Sequence, residues 1–428
     1  MPGSGDLVEV TIEKPAAGGR MLARLEGQVM LVAGAIPGER VRARLDSKRG
    51  GVVFATAIDI LDPSPDRQPA GDDPACGGRH FAHIARPRQL GLKAEIVRDA
   101  FRRIAHLDLP GYLPVHASPE DGYRMRARLH VQGSTLGFYR EGTHELCDPR
   151  CSRQLLPDSL DVLAAVSSVL NDAGVSDGRT LELSENRAAT ERSLYLEVSR
   201  MGRGAIALEG LLDLAGVTGF GIARAGEPVA AAGSPIVADE LVLARATGQT
   251  ATVRLQRHVT GFFQSNRFLL QLLVERVLAQ VPEGPMTDLY AGVGLFGLAH
   301  AGLGRGDVIA VEGDPGGVED LQANAAPYPD RVRVEAQPVE DALCRRSTVD
   351  GRTIVVDPPR TGLSREAVAA LAAARPPRVV YVSCDVATLA RDAAALAAAG
   401  YDLVCAEVFD LFPGTAHVES LVSMTRRD

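Results

Sequence analysis

The chain has 428 residues, of which 46% are hydrophobic and 23% are charged, and its net charge is −8 at pH 7. This balance is typical of globular proteins and excludes intrinsic disorder, collagen and a small disulfide scaffold, while the length predicts two or three domains. No run of 18 apolar residues occurs, and residues 1–20 lack the apolar segment of a secretory signal. The six cysteines are irregularly spaced, as in proteins of a reducing compartment. We therefore expect a soluble, cytoplasmic, monomeric protein with no membrane partner.

Positive charge is concentrated in one part of the chain. Residues 79–153 contain 13 Lys and Arg against 8 Asp and Glu, a local charge of +5, which leaves −13 for the rest. Nearly all basic residues are arginine, which binds phosphate in a bidentate manner and stacks on bases. Genome composition accounts well for the arginine bias and less well for the local clustering, which favours a nucleic-acid partner.

Residues 1–62 are predicted to form a small β-barrel. Five short strands are expected at 7–12, 21–25, 28–32, 40–45 and 52–57, separated by glycine-rich turns. Several of them alternate apolar with polar residues, the pattern of strands with one buried face. This arrangement predicts an OB-like barrel, a common nucleic-acid-binding fold. A Tudor-like or SH3-like barrel fits the pattern almost as well.

Residues 63–257 are predicted to form a central α+β domain. A linker rich in proline and aspartate occupies 63–74, and an amphipathic helix is expected at 90–106. Beyond residue 123, strand-like runs such as 126–131 and 193–198 alternate with polar turns, and one helix near 160–170 interrupts them.

The last third, residues 258–428, changes to a regular alternation of strands and helices. A helix at 268–278 comes first. Strands are then predicted at 287–290, 308–311, 332–334, 353–356, 379–382 and 403–409, with helices between them at 295–301, 317–325, 364–374 and 386–399. This alternation predicts a Rossmann-like, doubly wound parallel sheet. Ligands bind at the carboxyl edge of the strands in such sheets.

A glycine-rich turn follows the first of these strands. Tyr290 precedes Gly292 and Gly294, and Glu312 ends the next predicted strand. Such a turn lets the backbone approach a nucleotide cofactor closely, and the acid can accept hydrogen bonds from both ribose hydroxyls. Taken alone, this pattern fits a dinucleotide equally well. Tyr290 and a downstream Asp-Pro-Pro segment favour S-adenosylmethionine.

Further motifs lie beside or beyond the ends of predicted strands. Asp357 begins the Asp-Pro-Pro segment, a stiff rim that also occurs in methyltransferases acting on nucleotide bases. Cys384 ends the next strand, where a stabilised thiolate could act as a nucleophile. His417 or Glu419 could be a general base. Gln264 stands among aromatic residues just before the sheet.

Together these motifs resemble those of the TrmA/RumA-type RNA 5-methyluridine methyltransferases, over nearly the whole chain. The segments at 35–41 and 62–67 resemble the TRAM domain of the family, and those at 123–127 and 137–140 resemble its central domain. Five motifs then follow in the family's order, at 263–266, 288–294, 357–362, 382–384 and 417–419.

The resemblance implies an RNA uridine-C5 methyltransferase that uses S-adenosylmethionine. It makes Cys384 the nucleophile and Glu419 the base, with Asp357 as a third catalytic residue. Cofactor and uracil would be bound by a larger set: Gln264, Tyr290, Gly292, Gly294, Glu312 and Asp357. The helix at 90–106 would pack on the C-terminal domain. The TRAM-like domain favours 23S ribosomal RNA over transfer RNA as the substrate, and hence a role in rRNA processing.

Four arginines are the predicted RNA-binding residues. Arg124, Arg126 and Arg128 alternate along one strand, so their side chains should share one face. Arg140 lies in the second central motif.

The chain departs from the family at its iron–sulfur site. Ala70 and Arg79 occupy the positions of two cysteine ligands, so that only Cys76 and Cys151 match. A four-cysteine cluster cannot form from this remnant, and we expect a protein that folds and works without iron. Cys147, His80 and His83 are conceivable substitute ligands. Without a cluster, packing around Phe81 and Ile84, or a reduced Cys76–Cys151 contact, would tie the linker to the central domain.

Two smaller departures affect the candidate site. Asp385 and Val386 replace the Asn-Pro that often follows the catalytic cysteine, and Leu295 stands where a small polar cofactor contact is usual. Two other functions stay open: an RNA cytosine-C5 methyltransferase, and a non-catalytic RNA-binding protein. The lost cluster ligands favour the second slightly, whereas the intact nucleophile and acids oppose it.

Overall fold

The computed structural model describes residues 5–16, 18–71, 73–172, 178–199, 209–245 and 248–427. Position 72 of the predicted linker and positions 173–177, 200–208 and 246–247 of the predicted central domain lie outside this set, as do the first four residues of the predicted barrel domain and the last residue of the chain. Over the described ranges, no helix is both long and apolar enough to cross a membrane.

The first five strands form a closed barrel. They are β1 (Leu7–Pro15), β2 (Met21–Leu25), β3 (Gln28–Ala33), β4 (Arg40–Arg49) and β5 (Val52–Asp62), joined in the order β1-β2-β3-β5-β4 with β4 also paired to β1. Alternate residues such as Ile12 and Val32 fill the interior, which is the expected result of a period of two. The predicted OB-like barrel is confirmed.

A helix and a short strand follow the linker. Helix α1 (Arg86–Ala100) continues as a π-helical turn (Phe101–Ala105), and β6 (Val115–Ala117) comes next. The helix begins four residues before its predicted start because Pro87 suits a first helical turn. Val97 and Phe101 are buried in the hydrophobic core of the C-terminal sheet, so this helix packs far from its neighbours in sequence.

The central region contains a seven-stranded sheet backed by one long helix. Its elements are β7 (Arg126–Gln132), β8 (Thr135–Tyr139), β9 (Leu146–Cys147), α2 (Pro149–Ser152), α3 (Pro157–Asp172), β10 (Gly178–Glu185), β11 (Arg192–Val198), a 3-10 turn (Glu209–Leu211), β12 (Val217–Arg224) and β13 (Glu227–Gly233). The strand order is β13-β12-β11-β10-β7-β8-β9. Leu129 and Leu181 on one face pack with Val166 of α3. The other face is open at Arg128, whereas Arg126 and Ser184 on it contact Thr260 and Arg257.

A hairpin connects the central and C-terminal sheets. Its strands are β14 (Ile236–Ala244) and β15 (Thr250–His258). Leu241 and Val253 belong to the same core as the first helices of the C-terminal region. The hairpin therefore contributes to the C-terminal core although it precedes residue 258.

The C-terminal region is a doubly wound α/β sheet. Its elements are α4 (Leu270–Gln280), β16 (Met286–Leu289), α5 (Leu295–Gly302), β17 (Val308–Glu312), α6 (Pro315–Ala325), β18 (Val332–Ala336), α7 (Val339–Leu343), α8 (Arg346–Val349), β19 (Thr353–Val356), α9 (Arg365–Ala374), β20 (Arg378–Ser383), α10 (Val386–Ala398), β21 (Tyr401–Asp410) and β22 (Glu419–Arg426). The strand order is β18-β17-β16-β19-β20-β22-β21-β6. The predicted Rossmann-like class is confirmed.

Strand β22 is one of the elements that the sequence pattern missed. It runs antiparallel to both β20 and β21. Its first residues therefore lie at the carboxyl edge of the parallel strands, in the region where such sheets bind ligands.

Candidate active site

Two strand ends and the start of β22 bring the predicted catalytic residues to one edge. Asp357 directly follows β19 and Cys384 directly follows β20, while the two strands pair in parallel. Glu419 begins β22, where the next residue pairs with the last residue of β20. The structure thus brings these three residues together from segments 27 to 62 positions apart in sequence.

Gln264 reaches this edge from outside the sheet. Its Nε2 donates a hydrogen bond to Oδ2 of Asp357 at 3.0 Å. Burial raises the pKa of Asp357 to about 7, and the bond from Gln264 partly offsets this rise. The amide and the carboxyl group together provide donors and acceptors on a pocket wall, which a uracil edge could use.

Cys384 lies in a setting that disfavours negative charge. The pKa of its thiol is raised to about 11, mainly by burial and also by the nearby carboxyl groups of Glu419 and Asp357. The pKa of Glu419 is also raised, first by burial and then by Asp357. The thiol therefore holds its proton at neutral pH, and ionisation of the Glu419 carboxyl group is disfavoured, because three acidic groups share one poorly solvated space.

Arg360 is the cation that opposes this effect, and the sequence analysis assigned it no role. The positive charge of its guanidinium group lowers the pKa of both Cys384 and Glu419. The signal for it was present, since Arg360 follows Asp-Pro-Pro on the rim of the sheet. Asp288 was also missed: its Oδ2 accepts a hydrogen bond from the Gly297 N–H at 2.7 Å, and its buried Oδ1 has no hydrogen-bond partner among the described residues.

His417 lies near the same edge as an alternative base. Burial lowers the pKa of its imidazole to about 4, and the positive charge of Arg360 acts in the same direction. A base with so low a pKa accepts protons weakly. Glu419, whose pKa is raised, is the stronger proton acceptor once it is ionised.

The glycine-rich turn has the shape that a nucleotide cofactor needs. Tyr290, Gly292 and Gly294 all have positive φ, at 58°, 53° and 92°. A Cβ at Gly294 would lie 2.6 Å from Leu298, whereas the space beside Gly292 is open. Close packing therefore requires glycine at position 294, and the open side of Gly292 gives a cofactor access to the backbone.

Glu312 closes the other side of this turn. Its Oε2 accepts a hydrogen bond from the Gly292 N–H at 2.8 Å, and its Oε1 accepts from the Gly313 and Asp314 N–H groups. The acid is thus held against the open side of the turn, where ribose hydroxyls would lie. The open cradle and the acid fit S-adenosylmethionine.

Two residues near the site that differ from the family pattern, Asp385 and Leu295, both fit the fold. Asp385 caps α10, since its side chain accepts hydrogen bonds from the Ala387 and Thr388 N–H groups at 3.0 and 2.9 Å. Leu295 is buried at the start of α5, so it offers packing rather than a polar cofactor contact.

The predicted basic face on β7 is weaker than expected. Arg126 and Arg128 do share the open face, but both pair with Glu182 on the neighbouring strand. Arg124 precedes the strand, and its guanidinium carbon lies 5.8 Å from the ring centroids of both Phe138 and Phe412. The carboxylate of Glu182 on β10 therefore reduces the net charge of this face. Sequence spacing could not predict this pairing, because it depends on how the two strands align.

Arg140 is also paired, through Asp73 at 3.1 Å. Beside Arg128, the rings of His130 and Tyr139 stack with centroids 3.6 Å apart. Unpaired bases commonly bind to an exposed arginine that lies next to aromatic rings. Arg128 is therefore the strongest of the four RNA-binding candidates.

Replacing Arg128 tests this surface. Arg128→Gln should weaken RNA binding and reduce the slope of log K against log salt by about 1, since one phosphate contact is lost. Arg124→Gln is the matched control, because the guanidinium group of Arg124 is enclosed by two rings; it should leave the slope unchanged. Filter binding at several salt concentrations measures both. Equal slopes for Arg128→Gln and wild type would show that RNA binds to a different surface.

The cysteines that remain near the family's iron–sulfur site are paired differently from the prediction. Cys76 forms a disulfide with Cys147, not a contact with Cys151, which is free. Cys147 ends β9, and the adjoining strand packs against Gly77, which places the two sulfurs together. The expected Cys76–Cys151 tie is therefore wrong, and the pair that joins the linker to the central sheet is Cys76–Cys147.

Arg79 stands in place of a missing ligand and joins the same segments. Its guanidinium group donates to the carbonyl oxygens of Cys151 at 2.9 Å and Ala70 at 2.7 Å. His80 instead pairs with Glu141, and His83 contacts the carbonyl oxygen of Ala35. Asp73 is the additional group whose ligand atom lies within 4.8 Å of both Cys76 and Cys147.

We expect protein purified without oxygen to be colourless and to contain no stoichiometric iron. A four-iron cluster needs four ligands of the thiolate type, and the disulfide uses two of the three cysteines in this region. Absorption spectroscopy and iron analysis measure the outcome. Brown protein with about four irons per chain, whose activity is lost on iron removal, would contradict the expectation.

The chain resembles known proteins over its whole length. The family profile described as tRNA (Uracil-5-)-methyltransferase matches residues 345–427, and the TRAM domain profile matches residues 4–58. The 23S rRNA (uracil(1939)-C(5))-methyltransferase RlmD of Halomonas elongata is 32% identical, over 100% of this chain and 91% of its own length. The RlmD of Pseudomonas putida is 30% identical, over 97% and 93%.

A solved structure has the same fold. The Pyrococcus abyssi tRNA (uracil-54, C5)-methyltransferase, in complex with S-adenosyl-L-homocysteine, superposes with a TM-score of 0.73 at 22% identity, over 98% of this chain and 100% of that one. The fold and the edge-of-sheet site define an RNA methyltransferase. The chain belongs to the RNA uracil-C5 methyltransferase family, so the family and the S-adenosylmethionine dependence predicted from its motifs are confirmed.

Proposed function

We propose that this enzyme methylates C5 of a uridine in 23S ribosomal RNA through a covalent bond between Cys384 and C6 of the base. The observation that carries the proposal is the convergence of a thiol, a carboxyl group and the Gln264–Asp357 pair beside the open glycine turn. Each of the groups that this chemistry needs lies on one edge of the sheet.

The chemistry requires a nucleophile because C5 of uracil is itself unreactive. The Cys384 thiol gives its proton to water, and the sulfur bonds to C6, which moves electron density onto C5. When bound, S-adenosylmethionine would supply an electrophilic methyl group and would leave as S-adenosylhomocysteine. Once C5 carries the methyl group, a base removes the C5 proton, and breakage of the C6–S bond frees the thiolate and 5-methyluridine.

The residues divide this work according to their surroundings. Arg360 stabilises the thiolate of Cys384, since its positive charge lowers the pKa of the thiol. Glu419 removes the C5 proton, as the stronger of the two candidate bases. Gln264 and Asp357 hold the uracil edge and orient C6 towards the sulfur, while Tyr290, Gly292, Gly294 and Glu312 bind the cofactor.

The target uridine must leave its stack to reach this edge. A base in a duplex is inaccessible to Cys384, so we propose an unpaired or flipped uridine as the substrate. The open face of the central sheet, with Arg128 and the stacked rings of His130 and Tyr139, lies exposed for neighbouring nucleotides. The barrel, whose fold commonly binds nucleic acid, adds a second surface.

Two relatives support ribosomal RNA as the target, whereas the solved structure is of a transfer RNA enzyme. Transfer RNA is therefore the second candidate. We further propose a monomer that acts in the cytoplasm, where both RNAs are made and modified. Mass spectrometry of 23S and transfer RNA from a strain lacking this protein tests the target. Loss of 5-methyluridine from 23S RNA is expected, and a loss confined to transfer RNA would contradict the proposal.

A further inference from the structure

Asn266 has no role in the proposed chemistry, yet it is almost completely buried, with 1% of its surface exposed. It lies two residues beyond Gln264, just before the turn that leads into α4. We propose that Asn266 is a positioning residue that holds the catalytic base Glu419 in place relative to the Gln264–Asp357 pair. This inference rests on the proposed function, since it assumes that Glu419 removes the C5 proton.

The side chain of Asn266 connects three separate segments. Its Nδ2 donates to the carbonyl oxygen of Leu411 at 2.8 Å and to Oγ of Ser118 at 2.9 Å. Its Oδ1 accepts hydrogen bonds from the Phe268 and Leu269 N–H groups, each at 3.0 Å. Both donors and the acceptor are thus satisfied, so the planar amide has one orientation.

Two of these segments lead to opposite sides of the active site. On one side, Gln264 donates to Asp357. On the other, Leu411 begins the loop that leads to Glu419, and it lies two residues beyond Phe409, which pairs with Glu419 across β21 and β22. A movement of Leu411 relative to Asn266 would therefore change the position of Glu419 relative to Asp357.

Other elements also contact this loop. Lys93 donates to the carbonyl oxygen of Phe412 at 3.0 Å, and the Phe81 N–H donates to that of Gly414 at 2.8 Å. These contacts anchor the loop to α1 and the linker. Among the hydrogen bonds of the described residues, the Asn266–Leu411 bond joins the loop to the segment that carries Gln264.

Substitutions of Asn266 can break this bond and keep the turn before α4. Asn266→Asp retains an acceptor for the Phe268 and Leu269 N–H groups but cannot donate to Leu411. Asn266→Ser retains a shorter capping acceptor and provides a second variant should the first fail to fold. Ser118→Ala is the matched control, since it removes the other Nδ2 partner and leaves the Leu411 bond intact.

We expect Asn266→Asp and Asn266→Ser to reduce turnover about 10- to 100-fold, because small displacements of a catalytic group have effects of this size. The methylated covalent protein–RNA complex should accumulate, since proton removal becomes slow after methyl transfer. The dissociation constant for S-adenosylhomocysteine should stay within about twofold of wild type, and Ser118→Ala should behave as wild type.

Accumulation of the complex is a readout that a merely structural role would not change. If both Asn266 variants lose turnover without accumulating the complex, or lose cofactor affinity to the same extent, the inference is wrong. A wild-type protein that forms neither 5-methyluridine nor a covalent complex would instead contradict the proposed function. The two failures are therefore distinguishable.

Discussion

Cys384→Ala is expected to abolish the covalent complex that the wild-type enzyme forms with RNA containing 5-fluorouridine. Fluorine at C5 cannot leave as a proton, so the Cys384–C6 bond persists after methyl transfer and survives denaturation. Denaturing gel electrophoresis with labelled RNA measures the complex. Its persistence in Cys384→Ala would show that another group is the nucleophile.

Cys405→Ala is the matched control for this experiment. Burial also raises the pKa of the Cys405 thiol to about 11, with Glu407 as a further cause. Cys405 lies within β21 rather than at the carboxyl edge of the sheet. Its replacement should leave trapping unchanged. This result would show that trapping requires the thiol at the carboxyl edge and not simply any buried thiol.

The rate of covalent trapping in this assay should depend on pH. The thiolate of Cys384 is the reactive form, and its pKa is raised to about 11 in the RNA-free protein. The thiolate fraction therefore increases about tenfold per pH unit below that value, and the trapping rate should rise between pH 7 and pH 9. Arg360→Gln should slow trapping at pH 7, because the cation that lowers this pKa is lost. A rate independent of pH would contradict this.

Glu419→Gln is expected to stop the reaction after methyl transfer. The variant should bind RNA and cofactor and accumulate a methylated covalent complex, since the amide cannot accept the C5 proton. Turnover should fall about 10²- to 10⁴-fold, the usual effect of a lost general base. Gel electrophoresis with methyl-labelled cofactor measures the complex.

His417→Asn provides the comparison for Glu419. The pKa of His417 is lowered to about 4, so its imidazole is a weak base, and we expect a much smaller loss of turnover. Wild-type turnover in Glu419→Gln would make His417 or a water molecule the better candidate.

Much of the fold could be predicted because local patterns determine it. Strict alternation in β1 and β4, interrupted by glycine turns, is enough to define a barrel. The parallel strands of the last third are equally clear, and their carboxyl ends necessarily meet, which is why Asp357 and Cys384 could be placed at one edge. Glu419 needed the family resemblance, since the antiparallel β22 carries no signal that distinguishes it from a buried helix segment.

The remaining features depend on contacts between distant segments. Sequence spacing could not show that Cys147 rather than Cys151 meets Cys76, because the choice depends on how β9 packs against the linker. Nor could it show that Glu182 pairs with Arg126 and Arg128 from another strand. Burial and neighbouring charges, which set the pKa of Cys384 and Glu419, likewise arise only when the chain is folded.

The most direct test is to incubate the purified enzyme with methyl-labelled S-adenosylmethionine and total RNA, and to identify the labelled nucleoside. We expect 5-methyluridine, at a level that Cys384→Ala reduces to background. Labelled 5-methylcytidine would indicate a cytosine-C5 enzyme, and the absence of any labelled nucleoside would indicate an RNA-binding protein without catalysis. Either result would contradict the central claim.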